Sequence, residues 1–144
     1  MNMKSLLIFA LLTGFSWPTL STYAQSALQA GTAQVEITPP LGCPMWGYES
    51  RKEGANGVHD PLMAKVLILK STETTVALVS WDVCEFQSPW LHQQMKPLGI
   101  DHLLLLCSHT HAGPFLDAPF PSADKPWKKT VEERILKAIQ EAQA

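Results

Sequence analysis

Two histidines follow a run of four leucines in the segment LLLLCSHTHAGP, which covers residues 103–114. One residue separates His109 from His111, and side chains two positions apart on an extended segment project to the same side. Imidazole is the commonest protein ligand for metals such as zinc. The spacing is compatible with a metal site, but by itself it is a weak signal, because two partly exposed histidines in a loop give the same pattern.

Hydrophobic periodicity predicts the elements that position these histidines. Residues 33–38 alternate apolar and polar side chains, as a half-buried strand does. Two aliphatic runs on either side of residues 71–74 predict a hairpin. A helix then begins at Pro89, with Ser88 as its N-cap. In all, strands are predicted over residues 33–38, 62–70, 75–83 and 103–107, and helices over residues 89–96 and from about 126 to the end.

The order strand, helix, strand between residues 75 and 107 is a βαβ unit, in which the two strands lie parallel. The fold class is therefore α/β, with a mixed sheet made of a hairpin followed by a βαβ unit. Because parallel strands are covered on both faces, the leucine run 103–106 is predicted to be buried. At the rim formed by the carboxyl ends of both strands, Asp82 would meet His109 and His111 and orient a zinc-binding imidazole.

Composition and the N-terminal segment bear on partners and location. The 144 residues carry a formal net charge of -2, and their 11 Lys and Arg are scattered, which argues against a nucleic-acid partner. Residues 1–24 have the basic, apolar and small-residue regions of a secretory signal peptide. The apolar region, residues 5–15, is too short to span a membrane, which takes roughly 20 residues. We therefore expect a secreted or periplasmic protein whose domain is formed by residues 25–144.

The cysteines and tryptophans leave alternatives open. Three cysteines without a C-x-x-C pair indicate neither a disulfide framework nor a structural zinc cluster. Small buried thiols are the simplest interpretation, with a disulfide between two of the three as the alternative. The tryptophans fit either a core or an apolar wall for a lipid tail. The residues concerned are Cys43, Cys84 and Cys107, and Trp46, Trp81 and Trp90.

Four segments together resemble the N-terminal part of the neutral, non-lysosomal ceramidase family. They occur in the same order from residue 30 onward and read AGTAQVEITPPLGCPMWGY, GVHDPLMAKVLIL, VALVSWDV and LLLLCSHTHAGP. The last is the most specific, since the family carries Thr-His-Thr-His-Ser-Gly-Pro at the end of a buried strand. Ser108 and Ala112 replace the first threonine and the serine of that run, whereas both histidines and the Gly-Pro remain.

This resemblance implies a zinc-dependent amidase that hydrolyses the N-acyl bond of ceramide or a related lipid amide. It implies that His109 is a zinc ligand and that His111 is a catalytic group beside the metal. Asp82 matches an acidic position with an orienting role. His59, in GVHDPL, also matches a family histidine, but no role follows for it, and a turn residue is the alternative.

The resemblance also implies that the chain is the incomplete front part of a larger catalytic domain. Ceramidases of this family are several times longer, and they take a further histidine, a glutamate and a tyrosine as ligands from sequence beyond the point matching Ala144. We therefore expect no turnover from this chain alone, and we expect a lipid amide partner with peripheral contact to membrane lipid. The alternative is a small secreted α/β module with a binding or structural role and no catalysis.

Overall fold

The structure, a computed structural model, describes residues 28–144. The predicted signal peptide, residues 1–24, lies outside the described residues. None of the helices formed by residues 28–144 is long and apolar enough to cross a membrane. The elements are strands β1 (Gln29–Glu36), β2 (Met63–Lys70), β3 (Thr75–Trp81) and β4 (His102–Cys107), helices α1 (Pro89–Met95) and α2 (Trp127–Gln143), and a 3-10 turn at Lys96–Leu98.

The four strands form one mixed sheet in the order β1-β2-β3-β4. The pairs β1–β2 and β2–β3 are antiparallel, and β3 and β4 are parallel. The turn between β2 and β3 is closed by the N–H of Ser71, which donates to the carbonyl oxygen of Thr74 at 2.9 Å. The predicted α/β class, with a hairpin followed by a βαβ unit, is therefore confirmed.

The observed boundaries of the helices and strands agree within one or two residues with those predicted from the sequence, except in the first strand. β1 begins at Gln29 rather than at residue 33, because Gln29 to Thr32 continue the antiparallel ladder with β2 as far as Lys70. Backbone pairing extends this edge strand through a segment whose side chains are largely exposed. Periodicity reads side-chain burial, so it does not detect such an extension.

The predicted N-cap links the two helices. Ser88 Oγ accepts from the N–H of Leu91 at 3.0 Å, and Pro89 occupies the first turn of α1. The same hydroxyl donates to the Glu132 carboxylate of α2, and both side chains are buried. Gly99, in the left-handed conformation, ends the helical segment and returns the chain to β4.

Both helices pack on one face of the sheet. α2 lies across β1 and β2, and α1 lies against β4 and α2. The alternate residues of each strand that face the helices form a single hydrophobic core with them. Its fully buried members include Trp81, Val79, Leu91, Ile135 and Ile139.

The prediction that the leucine run is buried on both faces is wrong. Leu103 and Leu105 pack against the core, but Leu104 and Leu106 point to the opposite face and are 43% and 47% exposed. A parallel strand is covered on both sides only if elements occupy both faces, and within residues 28–144 both helices take the same one.

Candidate metal site

The carboxyl ends of β3 and β4 meet at one rim, and the chain segments beyond them stay hydrogen-bonded to each other. Trp81 pairs with Cys107 at the end of the parallel ladder. The N–H of Ser108 then donates to the carbonyl oxygen of Trp81 at 3.0 Å, and that of His109 donates to Val83 at 3.1 Å. These bonds bring the segment after β3 against the two histidines.

His109 and His111 share one site, but not through the extended geometry that their spacing predicts. His109 has a φ of 58°, in the left-handed region that few residues other than glycine adopt. The turn places the two imidazole rings 5.1 Å apart at their centroids, with an interplanar angle of 67°. Left-handed backbone in a non-glycine residue is typical of positions that a site holds in place.

A third donor, Cys84, completes a cluster with the two histidines. Its Sγ lies 3.7 Å from Nδ1 of His109. One ligand atom from each of Cys84, His109 and His111 lies within 4.8 Å of the others, so the cluster could bind a metal ion. Sulfur and imidazole nitrogen are ligands that zinc accepts, so the residues fit the ion that the sequence predicted.

The carbonyl oxygen of Cys84 fixes the protonation of the neutral His109 ring. It lies 2.9 Å from Nδ1, and a carbonyl oxygen can only accept, so Nδ1 carries the proton. Nε2 is then left with a free lone pair, which is the form of imidazole that binds a metal. A backbone carbonyl on the second nitrogen is the usual way in which proteins orient a metal-binding histidine.

His111 is enclosed by the loop between β1 and β2. A Cβ at Gly47, whose φ is 103°, would overlap the imidazole of His111. The Tyr48 ring meets the same imidazole edge-on at 4.8 Å. Arg51 donates from Nη1 to the carbonyl oxygen of His111 at 2.9 Å, and its guanidinium stacks on Tyr48 at 4.9 Å.

An apolar wall borders the cluster. Trp46 stacks on Phe115 with ring centroids 4.3 Å apart, and Trp46 remains 37% exposed. Met45 lies beside them, and its backbone bridges to Pro114. These side chains and the cluster line one open cavity of about 550 Å³. Of the other two tryptophans that could form a wall for a lipid tail, Trp81 is core, and Trp90 lines a separate cavity formed with α2.

Asp82 and His59, which the sequence also singled out, do not join the cluster. The Asp82 carboxylate accepts from the N–H of Met63 at 3.0 Å, at the start of β2. Asp82 does not line the cavity that holds the two histidines. The structure thus gives this carboxylate a backbone partner instead of an imidazole. The His59 side chain is 97% exposed and pairs with its neighbour Asp60 at 2.7 Å.

The three cysteines are free thiols, and the two in the interior are buried as expected. Burial raises the pKa of the Cys43 thiol to about 11. Burial, together with the nearby Glu85 carboxylate, also raises the pKa of the Cys84 thiol. A thiol with a raised pKa is a poor nucleophile, because less of it is present as thiolate.

Sequence reasoning missed Cys84 as a donor because it looked for cysteine pairs. A signal was nevertheless present. Cys84 follows the same strand as Asp82, and the carboxyl end of that strand was expected at the rim with His109 and His111.

Among the solved structures that match this architecture are two ceramidases. One is neutral ceramidase from Pseudomonas aeruginosa, with a TM-score of 0.66 and 18% identity over 82% of this chain and 22% of that one. The other is described as ceramidase complexed with C2, with a TM-score of 0.67 and 18% identity over 82% of this chain and 21% of that one. The chain has a ceramidase-like fold. It spans about a fifth of the length of those proteins.

No protein-family model and no curated protein matches the sequence. The fold likeness therefore rests on structure, at an identity too low to carry an activity with it.

Proposed function

We propose that this chain is the metal-binding front part of a zinc-dependent amidohydrolase of the neutral ceramidase type. Its substrate is ceramide or a related lipid amide, which it cleaves at the N-acyl bond. The observation that carries the proposal is the cluster of His109 and His111 at the carboxyl rim of a ceramidase-like sheet. Ligands of open α/β sheets bind at this rim.

His109 would hold the ion, because its Nδ1 proton is fixed by the carbonyl oxygen of Cys84 and its Nε2 is free. A bound zinc ion lowers the pKa of water to about 7 and polarises an amide carbonyl. His111 would lie beside the ion, where it could accept a proton from the attacking water or donate one to the leaving amine. Asp82 would act on the fold and not on the ion, since its carboxylate joins β2 to the segment from which Cys84 emerges.

The apolar wall supports a lipid amide as the substrate class. Trp46 and Phe115 present a stacked aromatic surface beside the histidines, and Met45 extends it. An acyl chain that lies on this surface would place its amide carbonyl next to the cluster. Arg51 and Tyr48 would border the polar end of the substrate, because both line the same cavity.

The test joins the chain to the part of Pseudomonas aeruginosa ceramidase that follows the matched segment. A folded, zinc-loaded chimera is expected to hydrolyse a fluorescent N-acyl sphingosine, and His109→Ala is expected to abolish turnover. The matched control is His102→Ala, an exposed histidine on β4 outside the cluster. A folded chimera that binds zinc and ceramide but yields no sphingosine would overturn the proposal and favour a non-catalytic module.

The same hydrolysis assay is also run on the chain alone, without the added part of the Pseudomonas enzyme. Its turnover is expected to lie more than about tenfold below that of the Pseudomonas enzyme, since catalytic zinc takes three or more protein ligands and an open position. Turnover within tenfold that His109→Ala abolishes would place the complete machinery within these 144 residues.

Export is part of the proposal, because residues 1–24 have the layout of a signal peptide. The expected mature species begins near Gln25. Intact-mass measurement of the protein from a secreting host checks this, and a mature species that retains Met1 would contradict it.

A further inference from the structure

The cluster contains a sulfur donor to which the resemblance to ceramidases assigns no role. We propose that the Cys84 thiolate is a ligand of the ion held by His109, with His111 facing the same ion. The site would therefore select zinc-like ions that accept sulfur. The inference shares its ion with the proposed function, but it concerns the donor set and not the reaction.

Cys84 makes two contacts with His109 through different atoms. Its carbonyl oxygen lies 2.9 Å from Nδ1, and its Sγ lies 3.7 Å from the same nitrogen. The backbone contact sets the tautomer and leaves Nε2 for the ion, so the thiol coordinates the same ion by turning from the Nδ1 side of the ring toward Nε2. Cys84 is 3% exposed, and the N–H of His109 donates to Val83, the residue before it. The thiol is therefore held in place beside the ring.

The dimensions of the cluster suit a tetrahedral ion after a small closure. Zinc lies about 2.0 Å from imidazole nitrogen and about 2.3 Å from thiolate sulfur, so nitrogen and sulfur ligands in a tetrahedron lie roughly 3.3–3.5 Å apart. The three ligand atoms in the structure lie within 4.8 Å of one another. Binding therefore draws the ligand atoms about 1 Å closer together, and Cys84 Sγ, which lies on the Nδ1 side of the His109 ring, approaches Nε2.

The donor types determine which ions the site prefers. Thiolate and imidazole suit zinc, cobalt and other ions that accept nitrogen and sulfur, whereas magnesium and calcium require oxygen ligands. Coordination replaces the thiol proton of Cys84 with the metal, and the proton is released to solvent. We therefore expect zinc and cobalt to compete for the site and magnesium to leave it free.

Cobalt(II) titration of the full chain tests the inference, because a thiolate ligand gives an intense charge-transfer absorption in the near ultraviolet. This band is expected in the wild type and is expected to disappear in Cys84→Ser, with at least a tenfold loss of affinity. Loss of a partner in the outer shell of a metal site already costs about 10–100-fold. Cys107→Ser is the matched control and is expected to keep the band, since its Sγ contacts the carbonyl oxygen of Phe86.

Zinc protection of the thiols from iodoacetamide gives a second measurement that needs no variant. Zinc is expected to slow the alkylation of Cys84 at least tenfold and to leave Cys107 unchanged. Cobalt binding without the band, or equal protection of both thiols, would overturn the inference while leaving a histidine-based metal site intact. A chimera that lacks ceramide hydrolysis but keeps the band would contradict only the proposed function.

Discussion

Asp82 and Cys84 both follow β3 and are separated by one residue, but the structure uses them in opposite ways. Asp82 pairs with Met63 through two hydrogen bonds, one from its own N–H at 2.9 Å and one to its carboxylate at 3.0 Å. Cys84 instead lies against His109. The Asp82 carboxylate, which the sequence assigned to the site, extends the strand pairing. The Cys84 thiol, which the sequence assigned to the core, lies in one cluster with the histidines.

Among substitutions at the carboxyl rim of the sheet, replacement of His109 should lower zinc affinity the most. Because its Nε2 is the donor with a fixed tautomer, His109→Ala is expected to weaken zinc binding at least about 100-fold, and His111→Ala about tenfold. Calorimetric zinc titration measures both. His109→Asn serves as a companion because asparagine tolerates the left-handed backbone at this position. Equal affinity in the two histidine variants would contradict this ranking.

Asp82→Ala should separate structure from metal binding. It leaves the N–H of Met63 without its charged acceptor, which is expected to lower the free energy of unfolding by about 2 kcal/mol. Zinc affinity of the folded variant should stay within about threefold of the wild type, as expected for a residue outside the coordination shell. Chemical denaturation and zinc titration measure the two quantities. The control is Asp82→Asn, which keeps an acceptor; an Asp82→Ala variant that loses zinc but not stability would reverse the roles of Asp82 and Cys84.

Gly47→Ala, in the loop between β1 and β2, should displace the His111 imidazole and lower stability. The added Cβ overlaps the His111 imidazole, and the φ of 103° is strained for any side chain. We expect a loss of about 1–2 kcal/mol in unfolding free energy, limited by rotation of the imidazole away from the loop. Thermal and chemical denaturation measure it. Gly57→Ala is the matched control, since a Cβ there meets nothing within 4 Å.

Cys43 provides a buried thiol without histidine neighbours for comparison with Cys84. Its pKa rises from 9.0 to about 11 on folding, so the unfolded chain ionises first as pH increases. The resulting stability is fully present below pH 9 and is lost as pH rises toward 11. Between pH 8 and 10 the free energy of unfolding should fall by roughly 1 kcal/mol more in the wild type than in Cys43→Ala. Parallel slopes in the two proteins would contradict this expectation.

The sequence predicts the fold well because side-chain periodicity and capping act locally. The strand from residue 75, the N-cap at Ser88 and the hairpin at residues 71–74 all appear where the pattern puts them. Burial of the leucine run could not be predicted in the same way. Whether Leu104 and Leu106 are covered depends on which face the helices occupy, and this is a property of the whole assembly of elements.

The site is only partly predictable because it depends on turns beyond the strand ends. The sequence brings His109 and His111 to the correct rim, since strand direction decides that. It does not predict the left-handed backbone of His109, on which its contact with Cys84 depends. Strand alternation also does not predict that the Asp82 carboxylate accepts a hydrogen bond from the backbone N–H of Met63.

X-ray absorption at the zinc edge tests the central claim most directly, because it reports the donor atoms around the ion. The zinc-loaded chain is expected to show one sulfur at about 2.3 Å together with nitrogen donors at about 2.0 Å. The sulfur contribution should vanish in Cys84→Ser and persist in Cys107→Ser. A first shell of nitrogen and oxygen alone in the wild type would contradict a site in which Cys84 and His109 hold the ion.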